Sequence, residues 1–327
     1  MSKNLRILLD GYIDGNFGDD LMLYLAADGL KEHKLYITSP KLDIAEYTEE
    51  KIGFDCYLKV TGSGFLIHNN KGIAYRMRDM YREKRYSKNR AVINCNISGF
   101  INRVAEKVIQ KQISDYDFVT VRDRYSYEYI TKNIPNVKCE KYPDMVLSLS
   151  DGMIPNVHSE NALGISVHNS ADINLLAEIA DRFINETGRN VCLLCFNTGL
   201  EDDVSVANQV YGIMKNRHMT EIIRYTDIND MLKNIKRCGA ILGIRFHSAM
   251  LALRMGVPVV PIAYSDKTKN ALDEIGYSGK IYDVNNIDTD EVLKSILNAV
   301  PYKLDGNIIK SAENHIKRFD EYIKRQC

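Results

Sequence analysis

The chain has no surplus of either charge: Lys+Arg and Asp+Glu number 43 each in 327 residues. Bulk binding of nucleic acid needs an excess of cations, so that class is excluded, while local anion sites remain open. There is no apolar run near the roughly 18 residues that suggest a membrane span. Met1-Ser-Lys-Asn-Leu-Arg-Ile enters a strand pattern with no apolar leader core, so the expectation is a cytoplasmic protein. The cysteines (Cys56, Cys95, Cys139, Cys192, Cys195, Cys238, Cys327) are odd in number and scattered, which fits free thiols in a reducing compartment. Cys192-Leu-Leu-Cys195 has CxxC spacing, but it lies in a strand pattern where residues three apart face opposite sides, so two buried strand positions are expected. His33, His68, His158, His168, His218 and His315 show no HxxxH or HExxH spacing, and no carboxylates cluster with ligand spacing. No metal is therefore expected.

What is present is ordinary for a soluble globular chain: 45% hydrophobic and 26% charged residues. The length suits two α/β domains of about 150 residues each. Strand patterns at Leu5–Tyr12, Lys34–Thr38, Cys56–Thr61, Ala91–Ile97 and Phe118–Arg122 alternate with helix patterns. A second series starts near Leu163, with strands at Val191–Phe196, Glu221–Tyr225, Ala240–Ile244, Val259–Ile262 and Lys280–Tyr282. This alternation predicts two Rossmann-like parallel-sheet domains, 1–150 and 161–300, facing a ligand cleft. The turn-rich stretch Leu149–Glu160 reads as the linker. An amphipathic helix at about Lys310–Lys324, within a C-terminal segment 301–327, could pack back on the first domain.

The most telling residues are Arg245-Phe-His247, between an apolar strand (Gly239–Ile244) and a small-residue helix (Ser248–Met255) that Gly256 should stop. Ligands of open α/β sheets bind at the carboxyl ends of strands. A permanent cation, a titratable imidazole and a helix N-terminus there make an anion site with a proton carrier. A structural histidine is the alternative, and spacing alone leaves the two even. Gly11-Tyr-Ile-Asp-Gly15-Asn16-Phe-Gly18-Asp19-Asp20 follows the first strand. It is neither GxGxxG nor a Walker A loop. It is either a ligand-lining loop or a tight turn with Asp19 capping the next helix. Thr61-Gly62-Ser63-Gly64 is a second glycine turn at a strand end, and His168-Asn169 stands at another. In Val121-Arg122-Asp123-Arg124, either arginine could grip a carboxylate or phosphate; the alternative is an Arg–Asp pair that organises the turn. Lys267, after the strand that ends near Tyr264, could add a cation to the same anion, or simply be a solvated lysine. Between Arg76 and Arg90, seven cations alternate with tyrosines and methionines. That stretch suits an anionic lipid or a lipid-linked diphosphate, with a solvated helix face as the alternative.

Taken together, Gly15-Asn-Phe-Gly-Asp-Asp20, Val121-Arg-Asp-Arg-Tyr-Ser126, Pro143-Asp144, Arg245-Phe-His247, Gly256-Val-Pro258 and Tyr264-Ser-Asp-Lys267 resemble the polysaccharide pyruvyl transferase family. The likeness runs from about residue 10 to 277 and is strongest over Gly243–Lys267. It departs at Gly62-Ser-Gly64, where the family often has a glycine run, and at Asn94–Gly99, which is less glycine-rich. The resemblance implies a fold like the GT-B glycosyltransferases. It also implies transfer of pyruvate from phosphoenolpyruvate to a sugar as a cyclic ketal, with no separate cofactor. By motif position it puts donor binding on Arg245, His247 and Arg122, with Lys267 as helper and His247 and Arg245 as the catalytic pair. Gly15, Asn16, Gly18, Asp19, Gly62, Gly64, His168 and Asn169 would line the cleft on the acceptor side. The expected partner is a sugar acceptor, lipid-linked or glycan; the expected location is the cytoplasm, and the basic stretch Arg76–Arg90 leaves open peripheral association at the inner face of the cell membrane. Two other readings compete: a GT-B glycosyltransferase with a nucleotide-sugar donor, and a silent module that binds carbohydrate or nucleotide.

Overall fold

The computed structural model describes residues 4–50, 52–67, 69–97 and 99–326. Met1–Lys3, Lys51, His68, Ser98 and Cys327 lie outside the described residues. The chain divides into two compact units. One comprises the chain up to Ile13, Asp19–Ser148 and the chain from Ile309 on; the other comprises Asp14–Gly18 and Leu149–Ile308.

The first unit holds β1 (Arg6–Asp10), most of α1 (Phe17–Gly29), β2 (Lys34–Ile37), β3 (Glu46–Tyr47), β4 (Cys56–Val60), α2 (Asn70–Tyr86), β5 (Arg90–Cys95), α3 (Arg103–Ser114), β6 (Phe118–Val121), α4 (Arg124–Asn133) and β7 (Lys138–Lys141). The strands form one parallel sheet in the order β3-β2-β1-β4-β5-β6-β7. Its central strands are covered on both faces, so they read as continuous apolar runs. Buried polar exceptions are Asn94 in β5, Thr120 in β6 and Lys59 in β4, whose ammonium meets Glu83 at 2.7 Å. Glu83 also accepts from Tyr116 at 2.8 Å and from Gln112. Although burial opposes it, Lys59 holds this carboxylate below its usual range. Strands β3 and β7 are not evident in the sequence pattern. Both lie at sheet edges, are short, polar and partly exposed, and owe their form to a paired neighbour rather than to an apolar pattern.

The second unit holds β8 (Ala162–Ser166), α5 (Ile173–Thr187), β9 (Val191–Cys195), α6 (Asp203–Ile213), β10 (Thr220–Arg224), α7 (Ile228–Arg237), β11 (Cys238–Gly243), α8 (Phe246–Met255), β12 (Val259–Ala263), α9 (Asp266–Glu274), β13 (Tyr282–Asp283) and α10 (Thr289–Leu297). Its sheet is parallel, in the order β10-β9-β8-β11-β12-β13. In β9, Val191, Leu193 and Cys195 enter the main core cluster and the thiol of Cys192 turns toward Glu221, so the CxxC residues face opposite sides. The expected terminal helix is two helices, α11 (Gly306–Ala312) and α12 (Asn314–Gln326). Helix α12 belongs to the first unit: Tyr322 stacks on Phe118 with ring centroids 5.1 Å apart, and His33 Nε2 meets Asp320 at 2.7 Å.

In each sheet the strand order reverses once, between β1 and β4 and between β8 and β11. The crevice outside the carboxyl ends at such a reversal is where open α/β sheets take ligands.

Candidate functional site

At the reversal in the second unit, β8 ends at Ser166 and runs on to His168, while β11 runs on through Ile244 and Arg245 into α8. Ser166 Oγ stitches the two strand ends together. It accepts the N–H groups of Ile244 at 2.8 Å and Arg245 at 3.1 Å, and lies 2.7 Å from Ser248 Oγ. The Ser248 hydroxyl in turn donates to the carbonyl of Arg245 at 2.6 Å. The backbone that carries Arg245 is thus fixed from both sides. Helix α8 can lie tightly on the sheet because its inner face is small: a Cβ on Gly243 would stand 3.2 Å from Ala249 Cβ. Nine of its ten residues are buried, and the partly exposed one is His247.

The Arg245 side chain is 10% exposed. Its Nε donates to Asp203 at 3.0 Å and its Nη2 to the other oxygen of the same carboxylate, a two-point grip. Asp203 is fully buried and also accepts the N–H groups of Phe196 at 3.0 Å and Asn197 at 2.9 Å. Burial pushes this carboxyl up, against the pull of Arg245 and the two amides. Arg245 Nη1 donates to Glu201, whose side chain is 50% exposed. Burial raises Glu201 somewhat, but Arg245 outweighs it and holds the carboxyl below its usual range. Arg245 therefore has one permanent partner, whose charge offsets its own, and one partner on the solvent side.

His168 lies over Tyr264, ring centroids 4.5 Å apart and 18° from parallel. Its Nδ1 accepts the Ser170 N–H at 3.1 Å and lies 2.7 Å from Ser170 Oγ, so the neutral ring carries its proton on Nε2, 4.0 Å from Glu201. Burial first, then the charge of Arg245, pushes this imidazole down to about 4. It is a neutral hydrogen-bond donor at ordinary pH. Lys267, in the first turn of α9, places its Nζ 5.8 Å from the Phe246 ring centroid, and that ring meets His247 edge-on. Asn169 is exposed just beyond His168.

The glycine loop differs from expectation. Its place in the sequence puts it in the first domain, but Asp14–Gly18 joins the second unit. The reason is a set of backbone bonds to the end of β9. Thr198 N–H donates to Gly15 O at 2.9 Å, Phe17 N–H donates to Phe196 O at 2.9 Å, and Asn16 bridges Asn197 antiparallel. Phe17 packs edge-on to Phe196 at 5.1 Å. A Cβ on Gly18 would fall 1.8 Å from His247 Nδ1, so the absence of a side chain at 18 is what lets the imidazole lie where it does. Asp19 does not cap α1. The helix begins at Phe17, and the Asn16 carboxamide accepts the Gly18 N–H at 3.0 Å. Asp19 is half-buried in the first turn and belongs to the first unit.

In that first unit Arg122 is enclosed. Its guanidinium donates to Asp144 at 2.5 Å and to Asn96 at 2.9 Å, and all three residues are buried. A Cβ on Gly62 would stand 2.8 Å from Arg122 Nη2, and one on Gly64 would meet the Thr61 side chain. These glycines admit Arg122 and the turn itself. Asp123 is not the partner of Arg122: it caps α4, accepting the Ser126 N–H and hydroxyl at 2.8 Å each. Arg124 is exposed at the start of α4. Of the residues expected to form a site, Arg245, His247, Lys267, His168, Asn169, Gly15, Asn16 and Gly18 thus belong to the second unit. Arg122, Asp19, Gly62 and Gly64 belong to the first.

Sequence reasoning missed Glu201, Asp203, Ser166, Ser248 and Tyr264. As a sequence, Glu201-Asp-Asp203 reads only as a helix start. That is right for Asp202, whose carboxylate accepts the Ser205 N–H, but Asp203 turns inward to Arg245. The one available signal was a run of three acids a short loop beyond an apolar strand.

The structure is similar to UDP-GlcNAc 2-epimerase from Methanocaldococcus jannaschii: TM-score 0.61 and 13% identity over 97% of this chain and 99% of that one. It is also similar to UDP-GlcNAc 2-epimerase from Neisseria meningitidis bound to UDP-GlcNAc: TM-score 0.58 and 11% identity over 99% of this chain and 100% of that one. At such identities the likeness is one of fold, two parallel-sheet α/β domains of the GT-B type. No curated protein matches the sequence significantly. The family model for polysaccharide pyruvyl transferase matches residues 16–266, most of the chain, from Asn16 of the glycine loop through α8 and β12, and the chain belongs to that family.

Proposed function

We propose that this protein moves pyruvate from phosphoenolpyruvate onto a sugar of a cell-surface polysaccharide precursor, as a cyclic ketal, and releases phosphate. The observation that carries the proposal is His247. It is the one partly exposed residue on an otherwise buried helix, fitted against Gly18 and two residues from Arg245 at a sheet reversal.

The donor carries a carboxylate and a phosphate on one enol carbon, so it needs cationic and N–H anchors that do not need the proton being moved. Arg245 supplies one on the side now taken by Glu201, and Lys267 a second. His168 Nε2–H and the positive end of α8 add neutral donors. In the first step a sugar hydroxyl oxygen bonds to the enol carbon while the methylene gains a proton and becomes methyl. His247 gives that proton and takes the one the hydroxyl loses, so it ends as it began. In the second step a neighbouring hydroxyl bonds to the same carbon, the carbon–oxygen bond to phosphate breaks, and the departing phosphate takes the second hydroxyl proton. We assign Gly15, Asn16 and Asn169 to the acceptor; Gly62 and Gly64 shape the Thr61–Gly64 turn of the first unit. Arg122 serves as a positioning residue for the Thr61–Gly64 turn. Phosphoenolpyruvate is substrate, and the reading needs no cofactor or metal. The acceptor is a lipid-linked glycan, reached from the cytoplasmic side of the membrane.

The test is mass spectrometry of candidate lipid-linked glycans incubated with the protein and phosphoenolpyruvate, where a pyruvate ketal on the acceptor supports the reading. His247→Gln should lower turnover about 10²- to 10⁴-fold without changing the melting temperature. Near-normal turnover in that variant would sink the role given to His247. The nucleotide-sugar alternative has the shared fold behind it, and a fold hosts many activities. Thermal stabilisation by UDP-sugars but not by phosphoenolpyruvate would favour it.

A further inference from the structure

Helix α2 lies outside the site described above, and its composition is unusual for a helix of a neutral protein. It caps at Asn69, whose carboxamide accepts the Gly72 N–H at 2.9 Å, and runs for 17 residues, about 25 Å. Two of its residues, Glu83 and Tyr86, are buried. Its outer face combines bulky amphipathic side chains with cations. Tyr75, Met77 and Tyr81 are 58%, 58% and 68% exposed, and Arg78, Arg82 and Arg85 are exposed among them. The acids do not balance these charges at the surface. Glu83 is turned inward to Lys59, and Asp79 is shared at 3.8 and 3.6 Å between Arg78 and Arg82. Arg78 also lies 5.4 Å over the Tyr75 ring.

The start of α3 continues this surface. Asn102 donates to Asn70 at 3.4 Å, which ties the two helix starts together, and Ile101 and Val104 beside it are 44% and 58% exposed. Exposed apolar groups gathered in one place, within a cationic setting, mark a docking surface rather than scattered surface residues. Tyrosine with arginine is the pairing that suits the boundary of a bilayer: the ring body enters the acyl edge while the hydroxyl and guanidinium stay at the headgroups. The sign of the charge selects the lipid, because anionic headgroups attract exposed Lys and Arg. Among the described residues no helix is long and apolar enough to cross a membrane, so the contact is peripheral.

We propose that the outer face of α2, with the start of α3, docks the protein on an anionic lipid bilayer. The face lies in the plane of the headgroups, with Met77 and Tyr81, one helical turn apart on one flank, inserted and the three arginines beside them on phosphate, while Tyr75 on the far flank stays at the headgroups. The inference goes beyond the pyruvyl-transfer reading, and its test uses neither donor nor acceptor, so either can fail without the other.

The experiment is co-sedimentation of the full chain with phosphatidylcholine vesicles, with and without phosphatidylglycerol. The chain contains no tryptophan. A Tyr81→Trp variant therefore carries a single indole fluorophore at the proposed contact. The expected results are sedimentation with phosphatidylglycerol vesicles that falls with added salt, a blue shift of the indole emission, and quenching by brominated lipid. Arg78→Glu with Arg82→Glu should weaken vesicle binding more than about tenfold at an unchanged melting temperature. Three results would overturn the proposal: no sedimentation, sedimentation that the double variant does not weaken, or an indole spectrum insensitive to vesicles but shifted by protein concentration. The last would assign the face to a second copy of the chain.

Discussion

Arg122 and Arg245 occupy the same kind of local position, each just past a strand end and just before a helix, although β11 borders the reversal of its sheet and β6 does not, and they are built differently. Arg122 is closed in. Asp144 and Asn96 take its guanidinium, both are buried, and Gly62 covers it. Arg245 has one buried partner, Asp203, and one half-exposed partner, Glu201, that solvent or a ligand can replace. A histidine stands near each. His315, on α12, is buried, with Thr120 Oγ1 at 2.5 Å and Pro143 O at 2.9 Å, while His168 faces Glu201. The same residue type at the same kind of position thus builds a structural clamp in one unit and a site open on one side in the other. Burial of the second partner makes the difference.

The largest effect expected of a single substitution tests the clamp. Asp144→Ala removes one member of a buried ion pair and leaves the Arg122 charge without it, a change that costs about 3–5 kcal/mol. Urea unfolding should show that loss in the midpoint. If the midpoint barely moves, Arg122 is not a structural clamp, and the contrast with Arg245 disappears.

The next effect is of acid on both regions. Burial pushes His168 and His315 each to about 4, against roughly 6.5 in the unfolded chain. Between those values the unfolded chain binds a proton that the folded chain does not. Stability is therefore complete above about pH 6.5 and falls as pH drops toward 4, by on the order of 3 kcal/mol per histidine at the acid end. Urea midpoints measured from pH 7.5 to 4 should fall along this course, and His315→Gln should flatten the slope by about half. A slope that His315→Gln leaves unchanged would mean that this imidazole is already charged in the fold.

A smaller effect tests the open site. Gly18→Ala puts a methyl where His247 Nδ1 now lies, so the imidazole must turn away. Turnover should fall more than about tenfold, within the range that a displaced proton carrier costs. The melting temperature should change less than turnover, since His247 is the one residue of α8 that is not fully buried. Unchanged turnover would show that the close fit of loop and imidazole has no part in the reaction.

Much of this is legible in the sequence, for physical reasons. The parallel sheets are visible because central strands buried on both faces are continuous apolar runs, as in Val191–Cys195. Arg245 and His247 stand out because strand, cation, imidazole and small-residue helix follow one another within a few residues. What stays hidden depends on pairing across distance. Nothing local tells that Asp203, in a run of acids, turns toward an arginine 42 positions later. Nor does the spacing show that Arg122 bonds Asp144 rather than its neighbour Asp123. The loop Gly15–Gly18 reads as part of the wrong unit because a loop's hydrogen bonds, here to the end of β9, leave no periodic trace.

The smallest expected effect bears most directly on the comparison. If Glu201 occupies the side of Arg245 that the donor's anion needs, it competes with the donor. Displacing a half-exposed ion pair costs up to about 1 kcal/mol, roughly two- to fivefold in affinity. Glu201→Gln keeps a hydrogen-bond acceptor but removes the charge, so KM for phosphoenolpyruvate should fall by that factor. The advantage should shrink at high salt, because the attraction it removes is partly screened. kcat should stay level, because Glu201 leaves before chemistry begins. The stability change should stay within about 1 kcal/mol, in contrast to Asp144→Ala. A KM that rises instead, together with a fall in kcat, would place Glu201 among the groups that hold the reacting molecules. Arg245 would then be as closed as Arg122, and the anion would have to be held by Lys267 and the α8 N-terminus instead.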